Sequence, residues 1–66
     1  MRIWVNGEQR VMDQIGDVAS LVTALGLDPR KVAVERNLHI VPRTTYAETA
    51  VAEDDRIEIV HFIGGG

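Results

Sequence analysis

The sequence contains no cysteine and only two histidines, His39 and His61. The absence of cysteine excludes disulfides, thiolate-bound zinc and cysteine-ligated iron–sulfur clusters, and the two histidines do not have the spacing of paired metal ligands. A chain of 66 residues buries only about 60% of the surface that it exposes when unfolded. Its stability must therefore come from an ordinary apolar core, which a composition of 45% hydrophobic residues permits.

Clustered positive charge is also missing. The formal net charge is -3, the seven basic residues are scattered, and Lys31 is the only lysine. Because phosphate binding depends on clustered Lys and Arg side chains, we expect no nucleic-acid partner. A mild acidic excess is typical of a soluble protein and suits docking on a basic partner.

Long hydrophobic runs and catalytic groupings are absent as well. No apolar run approaches the roughly 20 residues of a membrane span, and there is no basic-then-apolar leader, so we expect a cytoplasmic protein with no membrane partner. The sequence has no phosphate-binding Gly-Lys loop and no Ser/His/Asp or Cys/His set with a supporting spacing. The chain is therefore poor in the groupings that an enzyme would need.

The first twelve residues have the pattern of a β-hairpin. Ile3 and Val5 share one face by alternation, and Asn6-Gly7 supplies a two-residue turn that favours positive φ. Trp4 lies on the opposite face, where it either covers a sheet edge or belongs to a contact surface. The covering role is the plain interpretation, because Trp is usually largely buried.

A short amphipathic helix is predicted next. Asp17 is placed to cap its first turn, Gly26 stands where a left-handed C-cap is wanted, and Pro29 prevents continuation. A helix with one apolar stripe needs a sheet to lie on. The stripe has the spacing i, i+3, i+4 and i+7, at Val18, Leu21, Val22 and Leu25.

Three short strands complete the pattern: "KVAVERN", "HIV" before Pro42, and "RIEIVHFI". In the last strand, alternation turns Ile57, Ile59 and Ile63 inward. Residues 43–50 show no clear period, and we expect Tyr46 to anchor that loop to the core. The acidic turn at residues 53–55 is predicted to be a solvated corner.

This order predicts an α+β domain in which one helix covers one face of a single sheet. A right-handed crossover after the hairpin places the first and last strands side by side and parallel. The last strand is the most hydrophobic, so it should be central. This is the ubiquitin-like β-grasp arrangement, a mixed sheet with one main helix on one face. We assign residues 1–63 to that domain and residues 64–66 to a flexible C-terminal glycine tail.

The tail consists of Gly64, Gly65 and Gly66. At an average glycine frequency of about 7%, a given triplet is all glycine in only about 3 of 10,000 chains; a glycine linker left by cloning is a separate explanation. Without Cβ, a glycine backbone can enter a narrow channel, which leaves the α-carboxylate of Gly66 as the one reactive group. Attack on the α-phosphate of ATP would convert it to a mixed anhydride, and a sulfur nucleophile could then displace AMP and leave a thiocarboxylate.

The residues resemble those of the thiamine-biosynthesis sulfur carrier family (ThiS), ubiquitin-fold proteins that end in Gly-Gly. The resemblance covers essentially the whole chain. It departs at the acidic turn, where a glycine is usual, and at Tyr46, where a tryptophan is common. It is carried by "MRIWVNG" at Met1–Gly7, "VAVERN" at Val32–Asn37, "IVPR" at Ile40–Arg43 and, above all, "DRIEIVHFIGGG" at Asp55–Gly66.

The resemblance implies a co-substrate rather than an enzyme. An E1-like adenylyltransferase (ThiF-like) would adenylate Gly66, and a cysteine desulfurase or a rhodanese-type persulfide would supply the sulfur. A thiazole synthase (ThiG-like) would accept it to build the thiamine thiazole. ATP would be held by the adenylating enzyme, so we expect no cofactor bound to this chain.

The docking surface for such partners is expected on the outward face of the sheet. Val60 and Phe62 point there from the last strand, with Trp4 as a further candidate from the neighbouring strand. An exposed apolar patch beside a reactive end suggests an interface; the alternative is that the chain's own loops cover these side chains. We expect His61 to be a partly exposed packing residue rather than a proton shuttle.

The residues alone leave three alternatives open. The same carrier chemistry serves molybdopterin synthesis, cysteine synthesis or tRNA thiolation. An activated Gly66 would also serve a ubiquitin-like modifier that is joined to lysines. Finally, the chain would be a β-grasp interaction domain if its glycine tail were incidental.

Overall fold

The computed structural model describes residues 1–62. Its five strands form one mixed sheet in the order β2-β1-β5-β3-β4, and only the β1–β5 pair among them is parallel. This confirms the α+β, ubiquitin-like β-grasp prediction. The predicted tail at residues 64–66 and the predicted inward side chain of Ile63 lie outside the described residues. The elements are β1 (Arg2–Val5), β2 (Glu8–Val11), α1 (Val18–Ala24), β3 (Val32–Arg36), β4 (His39–Val41) and β5 (Arg56–His61), with 3₁₀ helices at Pro29–Lys31 and Arg43–Glu48.

Both hairpins close through two-residue turns with positive φ. Asn6 and Gly7 have φ of 51° and 81° between β1 and β2, and Asn37 and Leu38 have φ of 51° and 71° between β3 and β4. Positive φ at both central residues is the type I′ pattern, whose twist matches that of the flanking strands. The first turn was predicted from its Asn-Gly pair; the second places a leucine where glycine is usual.

The predicted caps define the helix. The Asp17 carboxylate accepts a hydrogen bond from the Ser20 N–H at 2.7 Å, and the Ser20 hydroxyl accepts one from the Asp17 N–H at 3.2 Å. This reciprocal capping box satisfies two of the unpaired amides of the first turn. At the other end, Gly26 has φ of 78°, and the Leu27 N–H donates to the Val22 carbonyl at 3.1 Å, as in a left-handed C-cap.

The core lies between α1 and the inner face of the sheet. Tyr46 belongs to it: the ring is buried and its hydroxyl donates to the Val32 carbonyl at 3.0 Å, which confirms the predicted anchor. The surrounding loop is the 3₁₀ helix at Arg43–Glu48, which the sequence pattern did not predict. The buried hydrophobic residues are Ile3, Val5, Ile15, Val18, Leu21, Val22, Val32, Val34, Val41, Tyr46, Val51, Ile57 and Ile59.

The acidic turn corrects one prediction. Glu53 and Asp54 are exposed as expected, but Asp55 is only 6% exposed, so the interpretation as a solvated corner was wrong for this residue. Its carboxylate accepts hydrogen bonds from the Ala52 N–H at 2.8 Å, the Asn37 amide at 3.0 Å and the Arg36 guanidinium at 2.6 Å. These donors replace the water that burial removes.

Candidate functional site

The candidate site begins with β5, the central strand that leads toward the glycine tail. Ile57 and Ile59 are buried on its inner face, while Glu58, Val60 and Phe62 lie on the opposite, outer face, as the alternation predicted. The Phe62 N–H donates to the Lys31 carbonyl at 2.9 Å, so the strand-like bonding to β3 continues to the last described residue. In sequence, the glycines therefore follow closely after β5, a strand that is paired on both sides.

An apolar patch lies on the outer face near this end of β5. We call it the outer apolar patch and define it as Ala33, Ile40, Val60 and Phe62. Val60 is paired with Ala33 and is 63% exposed, and Ile40 is 78% exposed. A shallow cavity of about 290 Å³ runs between them. Within residues 1–62, the chain's own loops therefore do not cover Val60 or Ile40.

Phe62 is less exposed than Val60 and Ile40. The guanidinium of Arg43 lies 5.3 Å from the centroid of the Phe62 ring, a distance at which the cation is attracted by the face of the ring. The ring remains 40% exposed. A partner can therefore still reach the Phe62 ring, and it would also meet the positive charge of Arg43.

Acidic side chains border the patch. Glu35 and Glu58 lie directly opposite each other on β3 and β5, and Ile40 is the cross-strand neighbour of Glu35. Like charges at directly opposed positions repel each other. Together with the overall charge of -3, this arrangement favours a partner with a basic surface around an apolar contact.

Trp4 is on the same outer face but is not brought into the patch. It is half-buried next to Arg56, whose guanidinium carbon lies 5.6 Å from the centroid of the indole. Val60 is four positions beyond Arg56 on β5, which corresponds to roughly 13 Å along a strand. Because β1 lies between β2 and β5, Trp4 covers the interior of the sheet, and the prediction that it covers a sheet edge was wrong.

Two members of the patch were missed from the sequence. Ile40 is the middle residue of "HIV", so alternation already placed it opposite the buried Val41. Ala33 stands between Val32 and Val34, so alternation likewise places it on the face opposite to theirs. The available signal was the parity of each strand. The missing information was that β3 lies beside β5 and β4 lies beside β3.

The segment beyond β5 carries the other predicted site residues, Gly64, Gly65 and Gly66, which lie outside the described residues. Gly66 is four positions beyond Phe62 in the sequence, so even a fully extended chain could place it at most about 14 Å from Phe62. His61 is exposed and borders a hollow of about 460 Å³ on the helix side of the sheet, next to Asn6 and Arg10.

The described part of the chain offers neither a metal cluster nor a membrane span. Among residues 1–62, no three His, Asp or Glu side chains are grouped so that they could hold a metal ion. None of the helices in that range is long and apolar enough to cross a bilayer.

A family model, a relative in sequence and a solved structure all point to the same family. The sequence model of the ThiS family matches residues 3–66. The sulfur carrier protein ThiS of Bacillus subtilis is 41% identical over 51 residues, which is 77% of each chain. A crystal structure of the thiamine biosynthesis protein ThiS from Geobacter metallireducens superposes with a TM-score of 0.84 at 32% identity, and all of both chains is covered.

Longer relatives contain a segment of the same kind. The thiazole synthase of Paramagnetospirillum magneticum is 53% identical over 66 residues, which is all of this chain. The chain spans only 20% of the length of that protein. Since the family match covers nearly the whole chain and agrees with the superposed structure, this protein belongs to the ThiS family.

Proposed function

We propose that this chain is a sulfur carrier in thiamine biosynthesis and that Gly66 is the residue that carries the sulfur. The observation that carries the proposal is a ThiS-family β-grasp whose central strand, β5, continues in sequence into Ile63 and three glycines. The sulfur carrier of Bacillus subtilis and the thiamine biosynthesis protein of Geobacter metallireducens support it.

The chemistry begins at the α-carboxylate of Gly66. A carboxylate oxygen attacks the α-phosphate of ATP, pyrophosphate leaves, and a mixed anhydride with AMP is formed. A sulfur nucleophile then attacks the carbonyl carbon and AMP leaves. If the donor is a persulfide, the resulting acyl disulfide is cleaved by a thiol, which is oxidised to a disulfide with the donor and leaves a thiocarboxylate on Gly66.

Three kinds of partner are required by this chemistry. A ThiF-like adenylyltransferase holds ATP and activates Gly66, a desulfurase or rhodanese supplies the sulfur, and a ThiG-like thiazole synthase accepts it. The similarity of this chain to a segment of a thiazole synthase supports the last of these. The chain itself acts as a cytoplasmic co-substrate, with no cofactor of its own and no catalytic group.

The partners dock on the outer apolar patch. Val60 and Phe62 provide its centre beside the start of the tail, and Ile40 extends it toward β4. The acidic pair Glu35–Glu58 favours basic side chains at the rim of the partner's surface. Trp4 lies at the distant end of the same face. A partner would contact it only if the interface extended over most of the sheet.

The test is the intact mass of the 66-residue chain after incubation with a ThiF-like adenylyltransferase, ATP and a persulfide donor. We expect a gain equal to the exchange of one oxygen for sulfur, and fragmentation should locate it at Gly66. A chain that lacks Gly66 is the matched control, since it keeps the whole described domain. Equal modification of the truncated chain, or no modification of the intact one by a partner active on its own carrier, would contradict the proposal.

The pathway needs a separate measurement. The thiocarboxylate form should support thiazole formation by a thiazole synthase, and growth of a strain without this gene should be restored by added thiazole. Restoration by a molybdopterin, cysteine or thiolated-tRNA product instead would assign the same carrier chemistry to another pathway. Conjugates of the chain with lysines of other proteins would identify a modifier.

A further inference from the structure

Asn6 makes an unusual side-chain contact with the strand that leads to the tail. Its Oδ1 accepts a hydrogen bond from the Ile59 N–H at 2.8 Å, and its Nδ2 donates to the Ile59 carbonyl at 3.2 Å. Its own backbone N–H donates to the Ile57 carbonyl at 2.9 Å. The side-chain amide therefore bonds both backbone groups of one residue, as the N–H and C=O of an opposed residue do in an antiparallel hydrogen-bonded pair.

This contact extends the sheet beyond the point where β1 ends. The parallel pairing of β1 with β5 includes only Trp4 with Arg56 and Val5 with Ile57. At Asn6 the chain turns away with φ of 51°, a conformation that asparagine tolerates better than most residues. The amide of Asn6 replaces the missing backbone partner, so the ladder reaches Ile59 although the strand has ended.

A second asparagine clamps the opposite end of the same strand. Asn37 has the same φ of 51° at the same position of the other hairpin turn. Its N–H donates to the Arg56 carbonyl at 2.8 Å and its Oδ1 accepts from the Arg56 N–H at 2.9 Å. β5 is thus held between two turn asparagines, Asn37 at its start and Asn6 toward its end.

The position of Asn6 matters because Ile59 lies close to the end of β5. On the β3 side, the bonding continues through the His61–Val32 pair and the Phe62 N–H. On the β1 side, the Asn6 amide is the last ladder contact within residues 1–62. Gly66 stands seven residues beyond Ile59, and its carboxylate must meet the α-phosphate of ATP in a partner's active site.

We infer that Asn6 is a positioning residue for the chemistry at Gly66. The inference rests on the proposed carrier function and adds a residue to it. By holding Ile59 from the β1 side, the amide limits the directions in which the end of β5 can point. Loss of this restraint lets the end of β5 deviate from its position, and a misplacement of reacting groups by about 1 Å can cost two orders of magnitude in rate.

The test compares Asn6→Gly with Asn37→Gly. Glycine adopts the positive φ of either turn and keeps the backbone N–H, so each variant removes the side-chain clamp on β5. Asn37→Gly also removes the hydrogen bond from the Asn37 amide to Asp55, so it is the more disruptive control for the fold. The readout is steady-state adenylation of the 66-residue chain by a ThiF-like adenylyltransferase. We expect about a tenfold lower kcat for Asn6→Gly with the KM for the carrier within about twofold, because the outer apolar patch remains held by β3. At a temperature where both are folded, Asn37→Gly should keep the wild-type kcat.

Asn6→Asp separates hydrogen bonding from space filling. Its carboxylate keeps the shape of the amide but places an acceptor against the Ile59 carbonyl, so kcat should fall at least as far as with glycine. Amide hydrogen exchange at Ile59 should be faster in both Asn6 variants than in Asn37→Gly.

Three other outcomes of the adenylation assay would overturn the inference, each for a different reason. A wild-type kcat in either Asn6 variant removes the positioning role, even if exchange at Ile59 is faster. Equal losses in the Asn6→Gly and Asn37→Gly variants would reduce the effect to general destabilisation. A wild-type chain that is not adenylated at all would instead refute the proposed function on which the inference rests.

Discussion

At the scale of single residues, Asp55 joins three segments of the chain. Its carboxylate is bonded by the Ala52 backbone, the Asn37 amide and the Arg36 guanidinium. Burial alone would raise the pKa of Asp55, but the hydrogen bonds from these three groups, with the Arg36 charge, outweigh it and hold the pKa below its usual value. The ionised form is therefore the one that the folded protein stabilises.

The lowered pKa of Asp55 predicts a pH dependence of stability. A group whose pKa is lower in the folded than in the unfolded chain stabilises the fold above its unfolded pKa of about 3.9, and this contribution is lost as the pH falls through the folded pKa. Asp55→Asn should cost about 2 kcal/mol at pH 7, since charged hydrogen bonds are lost. It should also remove part of the decline in stability below about pH 4.

Urea unfolding of the wild type and the Asp55→Asn variant at pH 7 and pH 3 checks this expectation. The two proteins should differ less at pH 3 than at pH 7. A difference that stays constant across this range would show that Asp55 contributes by packing rather than by its charge.

At the scale of elements, β5 combines two functions on opposite faces. Its inner face supplies Ile57 and Ile59 to the core, and its outer face supplies Val60 to the outer apolar patch. Because successive strand residues point to opposite faces, the outer face can be altered without disturbing the core. The docking role of the patch can therefore be tested separately from the stability of the fold.

Val60→Ser is expected to weaken docking, with Val11→Ser as its matched control. Both valines are exposed strand residues, at 63% and 75%, but Val11 lies on β2 at the far edge of the sheet. The few residues that dominate an interface lie near its centre and cost more than about 1 kcal/mol when truncated. We assign Val60 to this group, so Val60→Ser should raise the KM for the carrier about tenfold. Val11→Ser should leave it unchanged, and both should unfold within about 0.5 kcal/mol of the wild type.

Adenylation kinetics and urea unfolding of the same samples provide the two readouts. Equal KM values for the two variants would move the docking surface away from the outer apolar patch. If only the unfolding free energy of Val60→Ser changed, the residue would be assigned to the fold instead.

At the scale of the whole molecule, one helix and one sheet share a single small core. Domains are stable by only about 0.05–0.15 kcal/mol per residue, so a chain of 66 residues is expected to have about 3–10 kcal/mol in total. β5 is the middle strand of the sheet. A defect in its inner face should consequently weaken all parts of the domain together.

Ile57→Ala tests this cooperativity. Ile57 is buried on the central strand, and truncation of a buried isoleucine to alanine costs about 2–5 kcal/mol. The loss should appear equally in the fluorescence of Trp4 and in far-ultraviolet circular dichroism during urea unfolding. Separate transitions for the two probes would show that the hairpin of β1 and β2 unfolds independently of the rest.

The local parts of this protein were determined by the sequence itself. The Asn6-Gly7 turn, the Asp17 cap and the Gly26 C-cap depend on the conformational preferences of a few adjacent residues, and the alternation in β5 assigned its faces. The right-handed crossover rule then led from these elements to the β-grasp order. Gly64–Gly66 were predicted to be a tail from their place in the sequence, and they lie outside the described residues.

Only the tertiary structure decided which distant residues meet. The Asn6 amide reaches Ile59 across 53 positions of sequence, and Arg36 reaches Asp55 across 19. Ile40 on β4 and Val60 on β5 line the same cavity because both strands flank β3 in the sheet. Such contacts depend on strand order and register, which no short stretch of sequence specifies. The burial of Asp55 and the clamp at Asn6 were therefore visible only once the sheet was assembled.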